Sequence, residues 1–266
     1  MITMTKTKRF SQKHPVIFSL VLSFLSLRLW AVDIDGNSLG GFDMLITHII
    51  TSGLCMAFIY SRSSMDIVGF KKIGLRYGLL LGIPFYIIGI ISALFSNVGI
   101  DFANQTFLGV PILLLFTVNM FIVGSGEELL FRGIILRLFL NEREDNLCQQ
   151  YKAVFISAGI FGLVHLANLF VLPPITVFVQ TINATSAGIL FSMIYLKSKN
   201  IIAVIIIHGI VDWFALFLQQ CFSGGGSIIT EQMDWPTAVF VVIAGSLPVL
   251  LISFLYARKP LKKPSM

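Results

Sequence analysis

The chain has 266 residues, of which 56% are apolar and only 12% charged, with 24 Phe and a net charge of +6; its mean hydropathy is +0.89. Soluble domains carry about 25% charged residues, so the composition excludes an ordinary soluble domain and indicates a polytopic membrane protein. The positive balance does not indicate a nucleic-acid partner, because no basic and aromatic patch stands apart from positions flanking apolar runs.

Apolar runs of about 20 residues, enough to cross ~30 Å of hydrocarbon at 1.5 Å per residue, lie near 15–32, 42–61, 77–97, 108–131, 151–171, 175–196, 200–219 and 237–257. They predict an all-α polytopic transmembrane bundle of about eight spans. The first run has the basic head of a signal peptide, but Arg28 interrupts it and Ala31-Val32-Asp33 is a poor small-x-small cleavage site, so it is expected to remain as an uncleaved helix. Three units follow: 1–104 with spans one to three, 105–219 with spans four to seven, and 220–266 with the last span and a basic tail. Cys55 falls in a span, Cys148 in a loop on one side and Cys221 in a loop on the other, so neither disulfides nor a cysteine metal site is expected.

An even number of spans puts both termini on one side. Lys6, Lys8, Arg9, Lys13, Arg258, Lys259, Lys262 and Lys263 share that side with Arg62, Lys71, Lys72, Arg76, Arg137, Arg143, Lys152, Lys197 and Lys199. The opposite loops hold Asp33, Asp35, Asp101, Glu231 and Asp234 and no Lys or Arg. The positive-inside rule then predicts a multi-pass protein of the plasma membrane with both termini cytoplasmic, its basic residues meeting anionic lipid.

The fourth span carries Glu127-Glu128-Leu-Leu-Phe-Arg132, the fifth Phe161-Gly-Leu-Val-His165, and the seventh His208-Gly-Ile-Val-Asp212. Ionisable groups in hydrocarbon cost several kcal/mol unless paired, neutralised or facing a wet cavity. Glu128 and Arg132 are four apart on one helical face, acid before base, whereas Glu127 is rotated about 100° away. Spacing therefore predicts one paired and one available glutamate. Taken alone, such a cluster also suits the wet end of a span, and a single buried histidine is usually a hydrogen-bonded core residue. Depth argues otherwise. On an α-helical ruler Glu127 lies roughly 20 Å above Leu140, His165 about 21 Å above Tyr151, and His208 and Asp212 roughly 12 and 18 Å above Asn200. Three helices thus bring polar side chains to similar depth.

His208 and Asp212 share a face, as do Phe161 and His165. A glutamate beside a histidine suits general-base hydrolysis, with a second histidine to stabilise an oxyanion or bind a metal. If a metal is held, its ligands would be Glu127, His165, His208 and Asp212; zinc fits that chemistry, but there is no His-Glu-x-x-His segment. A metal-free site is the expectation, and no cofactor is implied.

In this order on successive spans, Glu-Glu-x-x-x-Arg, Phe-x-x-x-His and His-x-x-x-Asn/Asp resemble the CAAX prenyl protease and bacteriocin-processing family (CPBP, or Abi) of intramembrane endopeptidases. The resemblance runs from about 105 to 217 and includes Gln180-Thr-Ile-Asn-Ala-Thr-Ser-Ala-Gly188 and the turn into Asn200-Ile-Ile-Ala-Val-Ile-Ile-Ile-His208. It implies that Glu127 and His165 activate the attacking water, that His208 and residue 212 form the oxyanion side, and that Glu128 and Arg132 orient the others. The family has been described both as metallopeptidases and as metal-free glutamic peptidases. Asp212 stands where prenyl-processing members commonly have Asn. An ionised Asp only accepts hydrogen bonds, so Asp212 must be protonated, orient His208, or bind metal.

The expected function is hydrolysis of a membrane-associated peptide or protein near the cytoplasmic half of the bilayer, with leader processing of a secreted peptide or immunity to a bacteriocin ahead of true CAAX processing. The alternative is a non-catalytic membrane partner of a sensor kinase or peptide exporter that keeps the cluster for packing. A transporter would use midplane charges as a proton relay, but no internal repeat is visible. The partners predicted are the lipid bilayer and a peptide or protein substrate, with no nucleic acid; the sequence does not give an oligomeric state.

Overall fold

A computed structural model describes residues 6–30, 41–62, 65–97, 105–140, 146–223 and 232–258. Asp33, Asp35, Asp101, Arg143, Glu231, Lys259, Lys262 and Lys263, on which much of the charge topology rests, lie outside the described residues. The described chain is α-helical: α1 Lys6–Lys13, α2 Pro15–Trp30, α3 Phe42–Arg62, α4 Leu75–Leu81, α5 Ile83–Ser96, α6 Val110–Glu128, α7 Arg137–Leu140, α8 Leu147–Val164, α9 Pro174–Ser198, α10 Ile201–Cys221 and α11 Trp235–Arg258. It is a polytopic all-α bundle, as the composition requires. Phe24, Leu54, Leu94, Leu114, Phe155 and Leu255 are among the many large apolar side chains turned outward, which suits a hydrocarbon solvent rather than water.

Six helical stretches are long and apolar enough to span a membrane. The other two of the eight predicted spans take different forms. The first, α2, is a 16-residue helix, about 24 Å long. The third is broken: α4 and α5 meet at 44°. Gly82 sits at the break and Pro84 in the first turn beyond it. Pro lacks an N–H and clashes with the preceding turn, so a helix entering that sequence kinks there. The cysteines also differ from expectation: Cys148 is an exposed residue in the first turn of α8, and Cys221 is the fully buried last residue of α10. All three are free thiols.

Two further breaks fall in the predicted fourth and fifth spans. Between α6 and α7 the chain forms a π-helical stretch, Leu129–Leu136, and α8 runs into a 3₁₀ stretch, His165–Phe170. The α-helical ruler used for depth therefore does not hold between Glu127 and Leu140. All eight residues of the π turn are buried.

Small residues set the helix crossings. A Cβ on Gly124 of α6 would lie 3.1 Å from the Gly209 nitrogen of α10, and a Cβ on Gly209 would lie 2.7 Å from Cδ1 of Phe121. On Gly162 of α8 it would run into Thr185 of α9, and on Gly188 of α9 it would meet Ala158 and Phe161 at 3.1 Å. These glycines let backbones approach without an intervening side chain. Half of the apolar window of α9 is buried against 28% for α11, so α9 is the central helix and α11 a peripheral one. At one end of the bundle Asn200 caps α10 through Ala203 N and also donates to the Lys71 and Ile73 carbonyls. At the other, a bridge between Phe107 and Phe222 ties the start of α6 to the end of α10.

Candidate active site

The glycine crossing of α6 and α10 brings Glu128 to His208. Nδ1 of His208 donates to Oε1 of Glu128 at 2.7 Å, and the same oxygen accepts from Nη1 of Arg132 at 2.7 Å. Two charge-assisted bonds of that length hold the carboxylate strongly. Arg132 lies in the π turn. Its Nη2 donates to the Gly188 carbonyl at 3.1 Å, and its guanidinium lies 4.6 Å from the ring centroid of Phe161 and 5.2 Å from that of Phe191. Neither Glu128 nor Arg132 has any exposed surface. At this depth a carboxylate, a carbonyl and two ring faces replace part of the arginine's water, while its Nε and Oε2 of Glu128 have no hydrogen-bond partner among the described residues. Ser157 of α8 donates to the Phe131 carbonyl inside the π turn at 3.0 Å.

The other face of His208 differs. Its Nε2 lies 3.3 Å from Oδ2 of Asp212 and 3.6 Å from Oε2 of Glu127. Those carboxylates keep 28% and 14% of their side-chain surface, against 6% for His208. The imidazole stacks on Phe191 at 4.8 Å and 20°, and Phe161 presents an edge to it at 6.0 Å. Nδ1–H is committed to Glu128, and Nε2, also beside carboxylates, faces the open side.

His165 ends α8, its Nδ1 donating to the Phe161 carbonyl at 2.9 Å. Its ring meets Phe161 edge to face at 5.1 Å, so Phe161 touches both histidines. Among the described residues Glu127 makes no direct hydrogen bond to His165; its neighbour is His208. The structure thus gathers all six sequence-predicted residues around Phe161 and His208, with Glu128 and Arg132 in a dry layer and Glu127, His165 and Asp212 in a partly open one.

Among the described residues no three or more His, Cys, Asp or Glu side chains are grouped as metal ligands.

Three contributions were missed in the sequence. Phe191 and the Gly188 carbonyl, both from α9, complete the cradle of Arg132. His48 of α3 is buried and stacks on Trp30 at 4.9 Å and 9°. A signal for it existed: α3 buries Asp43, Thr47, His48, Thr51 and Ser52, a polar stripe at helical spacing in a span read only as hydrophobic.

Residues 109–214 match the family model of type II CAAX prenyl endopeptidase Rce1-like proteins, consistent with the CPBP family. That family is one of intramembrane proteases. The matched segment runs from the start of α6 into α10 and holds Glu127, Glu128, Arg132, His165, His208 and Asp212. No curated protein and no solved structure matches the chain.

Proposed function

From that Rce1-like segment and the cluster it contains, we propose that the chain is an intramembrane endopeptidase in which Glu127 is the general base. One observation supports the reading above others: a partly open glutamate stands 3.6 Å from an imidazole nitrogen whose partner nitrogen is fixed by a fully buried Glu128–Arg132 pair. A glutamate held in this way takes a proton from water as the oxygen adds to the scissile carbonyl, and returns it to the leaving amine as the C–N bond breaks. His165 has Nδ1–H committed to a carbonyl, so its Nε2 is an acceptor for the same water. His208, with Glu128 behind it, supports positive charge beside the developing oxyanion, and Asp212 orients it. No step requires a metal.

The substrate is a membrane-associated peptide or protein. Within that class we assign leader removal from a secreted peptide or self-immunity to a bacteriocin, with a prenylated CAAX sequence as the comparison. The test is hydrolysis of a fluorogenic leader peptide and a prenylated CAAX peptide by purified protein in micelles. Cleavage by wild type and not by Glu127→Gln supports the reading, and equal cleavage by both removes it.

A further inference from the structure

We propose that His48 is a substrate-binding residue of this site, its Nε2 accepting a hydrogen bond from a backbone N–H of the peptide lying beside Glu127; this rests on the endopeptidase reading. His48 belongs to α3, outside the segment 109–214 that matches the protease family. Its side chain is 4% exposed, and Nδ1 donates to the Met44 carbonyl at 3.0 Å. That bond fixes the neutral tautomer with a lone pair on Nε2. Among the described residues Nε2 has no hydrogen-bond partner.

The ring is held in place on both sides. Trp30 stacks on it nearly parallel, and Trp30 Nε1 donates to Thr51 Oγ1 at 3.0 Å, one turn along from Thr47. On the other side, Cδ2 of His48 is 3.3 Å from where a Cβ on Gly126 would stand. Nε2 is bonded to Cδ2, so it borders the stretch of α6 immediately before Glu127. Ser52 donates to Ser125 at 3.2 Å and holds the two helices in register there.

The chemistry of the substrate supplies what Nε2 lacks. A peptide drawn out of water for cleavage must find an acceptor for each backbone N–H, because hydrocarbon provides none and an unmet group costs several kcal/mol. Gly126 has no side chain to hold the peptide away. A buried, orientation-locked acceptor beside the general base fits that need.

The test uses two near-isosteres. In His48→Asn the amide nitrogen takes the place of Nδ1 and keeps the bond to Met44 but offers nothing at Nε2; in His48→Gln the amide reaches the Nε2 position. Binding of the labelled leader peptide and of a labelled prenylated CAAX peptide is measured by fluorescence polarisation on full-length Glu127→Gln protein, so that no hydrolysis is involved, and the tighter ligand is used to compare variants. His48→Asn is expected to weaken binding at least about fivefold, with His48→Gln recovering most of it and the two variants melting at the same temperature. In the Glu127 protein the same change should raise KM and leave kcat within about threefold. Equal binding by His48→Asn and its parent, including the case in which neither binds, overturns the assignment, as does a lower melting temperature of the Asn variant alone. If binding shifts as expected but wild type cleaves nothing, His48 stays in the site and the protease reading falls.

Discussion

The two nitrogens of His208 face different worlds. On the Nδ1 side, Glu128 and Arg132 are without solvent exposure, joined at 2.7 Å and enclosed by Phe161 and Phe191. On the Nε2 side, Glu127 and Asp212 are partly open and sit at 3.6 and 3.3 Å. Both sides present carboxylates to one ring, so chemical identity does not separate them; burial and partnership do. The fully buried side is bound tightly and fixes the ring, and the partly exposed side is bound loosely and is free to react.

The sharpest way to break this contrast is to remove the cation from the dry side. Arg132→Ala leaves Glu128 charged, buried and held only by a histidine, which costs about 3–5 kcal/mol and should sharply lower the amount of folded, monodisperse protein in detergent. Glu128→Gln combined with Arg132→Leu removes both charges and should recover part of it. Wild-type yield and melting temperature for Arg132→Ala would show that the pair does not hold the fold.

The same operation on the open side should leave the fold alone. Glu127→Gln keeps volume and some hydrogen bonding, so the melting temperature should match wild type while hydrolysis falls by about 10² to 10⁴. His165→Ala should fall comparably, and the double variant little further, because residues acting on one water are not additive. Additive losses would assign the two side chains separate jobs and dissolve the open layer as a unit.

How much of this was legible in the sequence follows from the range of each interaction. Glu128 with Arg132, and His208 with Asp212, are four residues apart, and helical spacing alone pairs them. The depth match of three spans pointed to one cluster. What spacing cannot give is which glutamate a distant histidine takes. His208 and Glu128 are 80 apart in sequence, and their meeting depends on the Gly124–Gly209 crossing, a tertiary event. The π turn was equally hidden, since Leu129–Leu136 has the composition of an ordinary apolar helix; its carbonyl at Phe131 is taken by Ser157 and its Arg132 by Gly188, both from other helices. The break at Gly82 did carry a local signal in Gly82-Ile83-Pro84, and the polar stripe of α3 was there to be counted.

That crossing offers a milder perturbation of both sides together. Gly209→Ala puts a methyl 2.7 Å from Phe121 Cδ1 and 3.0 Å from its Cα. Backbone cannot yield as a side-chain tip does, so α10 should shift away from α6 at a cost of about 1–3 kcal/mol. Because His208 precedes Gly209, its bond to Glu128 should lengthen too. The expected outcome is a lower melting temperature together with reduced kcat. Reduced stability with full activity would show that the Nδ1 bond does not set the geometry of the open side.

The smallest effect is expected at Asp212. Its carboxylate lies 3.3 Å from Nε2 of His208 and is 28% exposed. An Asn in its place still offers an oxygen to an Nε2–H, and its amide can donate to an oxyanion where an ionised Asp would repel one. Asp212→Asn should therefore keep activity within about tenfold of wild type, while Asp212→Ala, which leaves the ring free on that side, should lose more. The order Asp, Asn, Ala in kcat/KM is what an orienting residue produces. If Asp212→Asn instead loses as much as Glu127→Gln, the carboxylate is handling a proton, and the open layer contains two acid–base groups rather than one base and a residue that holds His208 in place.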